Sequence, residues 1–293
     1  MATQTVELAL DARAELGEGP RWHQAERRLY WVDIACNQIH RFDPTTGADE
    51  FRTFDTPVGC FAFRANGGLI LAMKDGLALL DQWEGVPRPF GEQIFADKPE
   101  LRFNDGRTDP AGRFWVGSVN MPKSARDAAL YRVDPNGSLN FIESGMLTCN
   151  GAAFNADGTA FRHADTPSHE LRAYAVDPTN GILSHRRIIR RFPEGRGRPD
   201  GGSFDAEGAY WSALFDGGRV VRLSDDGEIL MTVDLPVTRP TMIVFGGPDL
   251  RTAYVTSART GLSEEQLEAQ PHAGGIFSFR VDVPGLPEVP FAG

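Results

Sequence analysis

Apolar residues in this chain do not recur at helical spacing. They come in short runs rich in aromatic and β-branched residues, separated by Gly, Pro, Asp and Asn, which is the pattern of strands joined by tight turns. One run repeats. It reads Arg28-Leu-Tyr-Trp-Val-Asp33, Gly68-Leu-Ile-Leu-Ala-Met73 and Gly112-Arg-Phe-Trp-Val-Gly117, then Thr159-Ala-Phe-Arg-His163, Gly208-Ala-Tyr-Trp-Ser212 and Thr252-Ala-Tyr-Val-Thr256. Turn signatures introduce several copies, as in Pro110-Ala-Gly112, Ala156-Asp-Gly158 and Ala206-Glu-Gly208. A second short strand follows, often ending in Asp-Pro, as at Ile39–Pro44, Leu130–Pro135 and Ala173–Pro178. The spacing of about 40 to 50 residues is that of a four-stranded propeller blade.

Six such units predict an all-β, six-bladed β-propeller, with residues 1–293 forming a single domain. One blade cannot bury both faces of its sheet, so the six must stack around an axis and share a core. The segment Thr5–Leu10 precedes the first copy and is expected to supply the outer strand of the last blade. Ser263–Gln270 breaks the all-β pattern: Ser-x-x-Gln opens a run of strong helix formers, which predicts a capped surface helix. Val119–Ala129 is read as a loop long enough to shape a pocket mouth.

The inner strand of each blade should run ten to twelve residues upstream of the repeated aromatic strand. There the chain has Leu16-Gly-Glu18-Gly-Pro20, Arg102-Phe-Asn104-Asp-Gly106, Cys149-Asn150-Gly-Ala152 and Arg198-Pro-Asp200-Gly-Gly202. Blades two and six carry Gly59-Cys60 and Thr241-Met242 instead. Taken singly, Asn-Gly and Asp-Gly are ordinary turn sequences. Their shared phase points to chemistry, because equivalent positions on inner strands face one axis from the same end. Glu18, Asn104, Asn150 and Asp200 are therefore expected to converge, and two carboxylates with two amide oxygens suit a hard divalent cation. The ion could be Ca, Zn, Mg, Mn or Fe, and a central metal site of this kind completes the fold expectation. No His-x-His, His-Glu-x-x-His or Cys cluster offers a softer site, and no Gly-x-Ser-x-Gly elbow supports a serine hydrolase.

The same residues resemble the regucalcin/gluconolactonase family. The resemblance rests on Gly17-Glu18-Gly-Pro20, Arg102 through Gly117, Asn150-Gly with Asp157-Gly158, Pro199-Asp200-Gly, and Phe245 through Arg259. Within the family, bacterial sugar-acid lactonases are the nearest likeness, through His163–Thr166 and Gln270–Gly275. The resemblance implies a metal held by Glu18, Asn150 and Asp200, with Asn104 on or beside it, and a small sugar lactone as substrate. Arg102 and Asn104 are implied to contact that substrate. After Gly117 some animal members carry a substrate-contacting glutamate; here the loop reads Ser118-Val-Asn-Met-Pro122, which leaves the sugar preference open.

Lactone opening needs water attack and stabilisation of an oxyanion, so a metal acts as Lewis acid or lowers the pKa of a bound water. Asp200 is the candidate general base. Arg102, Asn104 and Asn120 are candidate donors to substrate hydroxyls, whereas His23 and His163 are read as structural. Two rivals use the same scaffold: another metal-dependent hydrolase acting on phosphotriesters, and a non-catalytic propeller that binds calcium or serves as an interaction platform.

Charge and composition narrow the partners. The net charge of −10 argues against nucleic acid. The one basic run, His185–Arg198 with six arginines, is read as a solvated strand and turn. No segment is apolar for the length of a membrane span, and the first residues lack a signal-peptide pattern. Cys36, Cys60 and Cys149 form no pair motif, so a reduced, cytoplasmic protein is expected, with each cysteine a small buried apolar side chain and no obligate protein partner.

Overall fold

A computed structural model describes residues 4–293. These fold into six four-stranded antiparallel sheets, each running inner to outer in chain order apart from the last. The inner strands are Gly17–His23, Val58–Phe63, Leu101–Thr108, Cys149–Phe154, Arg198–Phe204 and Pro240–Gly246, for blades one to six. The repeated aromatic runs are the second strands, from Arg28–Asp33 in blade one to Thr252–Ser257 in blade six. Blade six takes its outer strand, Glu7–Leu10, from the start of the chain, with Glu7 opposite Ser278 and Leu8 opposite Phe277. The ring is thus closed by hydrogen bonds, and the sheet edge nearest each terminus is paired.

Burial explains the two kinds of strand. The inner two strands of a blade are covered on both faces by neighbouring blades, and so are buried almost without alternation, as in Phe114–Asn120. Outer strands face solvent and are mostly polar, as in Ile182–Arg191. Trp31, Trp115 and Trp211, equivalent residues of blades one, three and five, are fully buried between sheets. A large side chain so placed stabilises by about 1.5–3 kcal/mol. The turn between the first two strands anchors two of them: Asp109 accepts from Trp115 Nε1 at 2.8 Å and Asp205 from Trp211 Nε1 at 2.9 Å. Each aspartate also holds an arginine, Arg113 at 2.6 Å and Arg222 at 2.7 Å, so its buried charge is matched.

The helix is Glu264–Ala269, capped at Ser263 by the reciprocal Ser–Gln bonds that the sequence predicts. Among the described residues no helix is long and apolar enough to cross a membrane. The arginine run lies on the outer strand of blade four and the turn after it, and its last member, Arg198, opens the inner strand of blade five. Arg186 pairs with Glu143, Arg187 with Asp225 and Asp226, Arg191 with Glu170 and Arg198 with Asp216, as a solvated face would. All three cysteines are free, but Cys36 is exposed on the turn after blade one's second strand, correcting the expectation that each is buried.

The last residues cross one end of the ring. Pro284 accepts from Ala206 and Gly285 donates to Leu250, on blades five and six. Phe291 then pairs with Phe63 and Ala65, and Ala292 donates to Gly112, on blades two and three. That end, formed by the far ends of the inner strands, encloses a cavity of about 250 Å³ lined mainly by apolar residues such as Phe154, Phe204 and Phe245.

Candidate metal centre

All six inner strands break register at the same level: between Glu18 and Arg21, Val58 and Cys60, Phe103 and Gly106, Asn150 and Ala153, Pro199 and Gly202, and Pro240 and Met242. A bulge re-aims side chains and interrupts pairing. Here it turns one ring of residues toward the axis, at the end opposite the C-terminal segment. The glycines beside these residues follow from crowding. Gly19 has φ +54°, a conformation disfavoured with a side chain, and a Cβ on Gly201 would lie 2.3 Å from Met242. In blade two, a Cβ on Gly59 would lie 2.3 Å from the Phe103 carbonyl oxygen, so that strand has no room for a ligating side chain.

Glu18, Asn104, Asn150 and Asp200 are all buried. Three of them form one chain of contacts with Arg102 at its head. Arg102 Nη1 donates to Asn104 Oδ1 at 2.9 Å, and Asn104 Nδ2 donates to Asn150 Oδ1 at 2.6 Å. Asn150 Nδ2 donates to Asp200 Oδ1 at 2.5 Å and to Thr166 Oγ1 at 2.8 Å. Thr166 in turn donates to the Pro199 carbonyl at 2.8 Å, tying blade four to blade five. Glu18 joins this group through its field: its charge is, after burial, the largest influence raising the Asp200 carboxyl well above its usual range. The Glu18 carboxyl is itself pushed up to about 8, by burial first and then by Asp105.

This donor set fits a hard divalent cation. It is all oxygen, it holds two carboxylates that burial and neighbouring carboxylates push toward the protonated form, and each amide oxygen has a second lone pair to offer. Among the described residues no cluster of three or more His, Cys, Asp or Glu side chains could hold a metal, so a third protein oxygen for an ion here would have to come from an amide.

Asn120 stands apart. Its amide is fully buried, donating to Asp127 Oδ1 at 2.9 Å and accepting from the Ser124 backbone at 2.9 Å, so it shapes the loop over residues 121–127 and does not join the cluster. His163 is buried against Phe161, and burial, then Arg172, lowers its pKa to about 3, keeping it neutral. His23 accepts from the Glu26 backbone and packs edge-on against Phe63.

Asp105 and Thr166 were not singled out from the sequence as site residues. Asp105 follows Asn104 on the bulged strand, accepts from Gly106 N at 2.8 Å and Ala152 N at 3.1 Å, and lies 3.9 Å from Arg21. The Asn104-Asp-Gly106 motif held that signal, since a bulge lets two successive residues face the channel. The 250 Å³ cavity is at the other end of the channel, and the titratable cluster, not the cavity, marks the site.

Residues 16–259 match the SMP-30/Gluconolactonase/LRE-like region. The chain is 42% identical over 295 residues to the 6-deoxy-6-sulfogluconolactonase of Pseudomonas putida, covering 99% of each. It is 37% identical over 291 residues to the pentonolactonase XacC of Haloferax volcanii, covering 97% of each. Its fold superposes with a TM-score of 0.94, at 26% identity and over 100% of both chains, on the crystal structure of a calcium-binding protein, regucalcin, from Agrobacterium tumefaciens.

Proposed function

The chain belongs to the SMP-30/gluconolactonase/LRE-like family, and on that premise we propose that it is a metal-dependent sugar lactonase with its site at the bulged end of the channel. It hydrolyses an aldonolactone to the aldonic acid. The single observation that carries this reading is the contact chain from Arg102 through Asn104 and Asn150 to Asp200, with the buried Glu18 at the equivalent bulge of blade one.

Glu18, Asn150 and Asp200 hold the ion in this reading, with Asn104 beside it. A divalent ion held there would supply Lewis acidity toward the lactone carbonyl and would favour the ionised form of both carboxyls. Ionised Asp200, oriented by Asn150, accepts a proton from the attacking water. The water oxygen bonds to the carbonyl carbon, the ring C–O bond breaks, and the ring oxygen takes the proton held by Asp200 and leaves as a hydroxyl. Arg102 and Asn104 bind substrate oxygens and hold the carbonyl in line, while Asn120 acts only through the loop it folds. In this reading residues 1–293 work as one domain, and the three free cysteines support a reduced, cytoplasmic compartment.

The test is kcat/KM for an aldonolactone, an unsubstituted lactone of equal ring size and an aryl phosphotriester, after chelation and metal add-back. A site built to bind hydroxyls rejects analogues that lack them. Preference for the aldonolactone is expected. Equal rates for the two lactones, or preference for the phosphotriester, would replace the substrate class, and metal uptake without any turnover would leave a binding protein.

A further inference from the structure

A carboxylate offers a cation two equivalent oxygens, whereas an amide offers one oxygen and an NH2 group whose hydrogens repel it. Of the three candidate ligands, Glu18 and Asp200 are carboxylates and Asn150 is an amide. Asn150 alone must be held one way round. The amide beside it, Asn104, is oriented by groups with a single role. The Arg102 guanidinium only donates, to Oδ1 at 2.9 Å, and the Cys149 carbonyl only accepts, from Nδ2 at 3.0 Å.

For Asn150 the corresponding group is Thr166. A hydroxyl has one proton to give, and Thr166 gives it to the Pro199 carbonyl at 2.8 Å. Only its lone pairs remain, so it can take a donor from Asn150 but not an acceptor, and Asn150 Nδ2 lies 2.8 Å from it. The amide oxygen is thereby turned away from Thr166. Asn104 Nδ2 and Asp200 Oδ1 favour the same orientation, but both residues would also face the ion or the substrate. Among the described residues the Thr166 hydroxyl has no partner besides Asn150 and Pro199.

The fold builds Thr166 into this place. It is buried and opens a short helical turn, Thr166–Ser168, after the second strand of blade four. Asp165 Oδ1 accepts from Leu147 N and Thr148 N, both at 3.1 Å, and Thr166 N donates to Thr148 O at 3.4 Å. These bonds pin Thr166 to the segment that leads into Asn150. In every blade the first residue of the inner strand pairs with the last residue of the second strand, so the next residue stands at the same level around the ring. The other five blades have Ile34, Lys74, Met121, Asp216 and Ala258 there. The one hydroxyl among the six stands beside the one amide among the three ligands.

We propose that Thr166 is a positioning residue of the metal centre. By committing its proton to Pro199 it fixes the Asn150 amide with the oxygen free for the ion, and it ties that amide to the strand of Asp200, the residue after Pro199. This rests on the metal-dependent reading above.

Titration calorimetry of Ca²⁺, Mn²⁺ and Zn²⁺, each alone, into the metal-free protein provides the test. Thr166→Val keeps the shape and removes the hydroxyl, and metal affinity should fall by about 10- to 100-fold, the usual loss when a group that orients a ligand is removed. Thr166→Ser should restore it. The decisive comparison is made in the Asn150→Asp background, whose ligand has two equivalent oxygens and needs no orienting. Adding Thr166→Val there should leave the affinity unchanged. Thr166→Ala makes the same comparison if Thr166→Val does not fold. An equal loss in both backgrounds, or a loss shared by Thr166→Ser, makes Thr166 a packing residue and overturns the proposal. Equal affinity in the wild type and Thr166→Val ends this proposal alone, whereas a wild type that takes up none of the three ions overturns the metal-dependent reading with it.

Discussion

At the tail-covered end of the channel, Arg21 and Arg107 meet Asp105 and Glu288, two positive charges against two negative, with Arg21 lying 3.9 Å from Asp105 and 3.8 Å from Glu288. At the bulged end, Asp200 accepts from the Asn150 amide and Glu18 from the Gly19 backbone, neither has an ion-pair partner among the described residues, and both carboxyls are raised. The same six strands build both ends. The difference is that the first end finds its counter-charges within the fold, through a residue brought in by the C-terminal segment, whereas the carboxyls of the second have no ion-pair partner among the described residues, which is what the proposed cation would supply. A buried charge that is matched internally reads as structure, and one left unmatched at a channel mouth reads as a binding site.

The comparison breaks most sharply at Asp200. Asp200→Asn keeps size and one oxygen for the metal but cannot accept a proton at neutral pH. Turnover should fall by about 10²- to 10⁴-fold, while the thermal melt stays near that of the wild type. A folded, metal-loaded variant with near-normal turnover would move the base elsewhere.

Glu288→Ala should do the opposite, acting on stability before chemistry. It leaves Arg107 and Arg21 short of a counter-charge in a buried setting, and loss of one partner of such a pair costs about 3–5 kcal/mol. Denaturant unfolding measures this. A loss below about 1 kcal/mol would mean that the tail-end charges are solvated, and the contrast between the ends would vanish.

Arg102→Ala tests the head of the contact chain. Removing a charged donor from a substrate oxygen costs about 1.5–3 kcal/mol, so kcat/KM should fall by about one to two orders of magnitude. A rise in KM alone makes Arg102 a binding group, and a matching fall in kcat makes it an aligning one.

A further test concerns pH. His163 has its folded pKa lowered to about 3 from 6.5, so the unfolded chain takes up the proton first as the pH falls. Its contribution to stability is intact above pH 6.5 and is lost progressively toward pH 3, with a slope of at most about 1.4 kcal/mol per pH unit. Replacement by Phe should flatten the unfolding free energy over that window. An unchanged slope would assign the acid sensitivity to other groups.

What could be read in the sequence was local. Each blade is a run of hairpins between neighbouring strands, so its aromatic second strand and its Asp–Gly turn recur visibly, and the phase of Glu18, Asn150 and Asp200 follows from that recurrence. Asn104 was legible as an oxygen donor, but not as the link between Arg102 and Asn150. The pairing of Arg107 with Glu288 was hidden because 181 residues separate them and the C-terminal segment carries no periodic signal. In the sequence Asn120 reads as a substrate donor because an asparagine on the blade-three loop can donate to hydroxyls. Only the positions of Asp127 and Ser124 show that its amide is already bonded on both sides. The bulge itself leaves no composition mark beyond glycine, yet it is what turns phase into convergence.

The central claim is that Glu18, Asn150 and Asp200 share one ion at the unmatched end. A crystal structure of the protein grown with a divalent metal, with diffraction recorded on both sides of that metal's absorption edge, tests it directly. The account predicts a single anomalous peak on the channel axis with an oxygen of each of the three side chains within about 2.0–2.6 Å, the span from small to large divalent ions. A peak elsewhere, or one at this end that lacks Glu18 or Asp200 as a ligand, would contradict it.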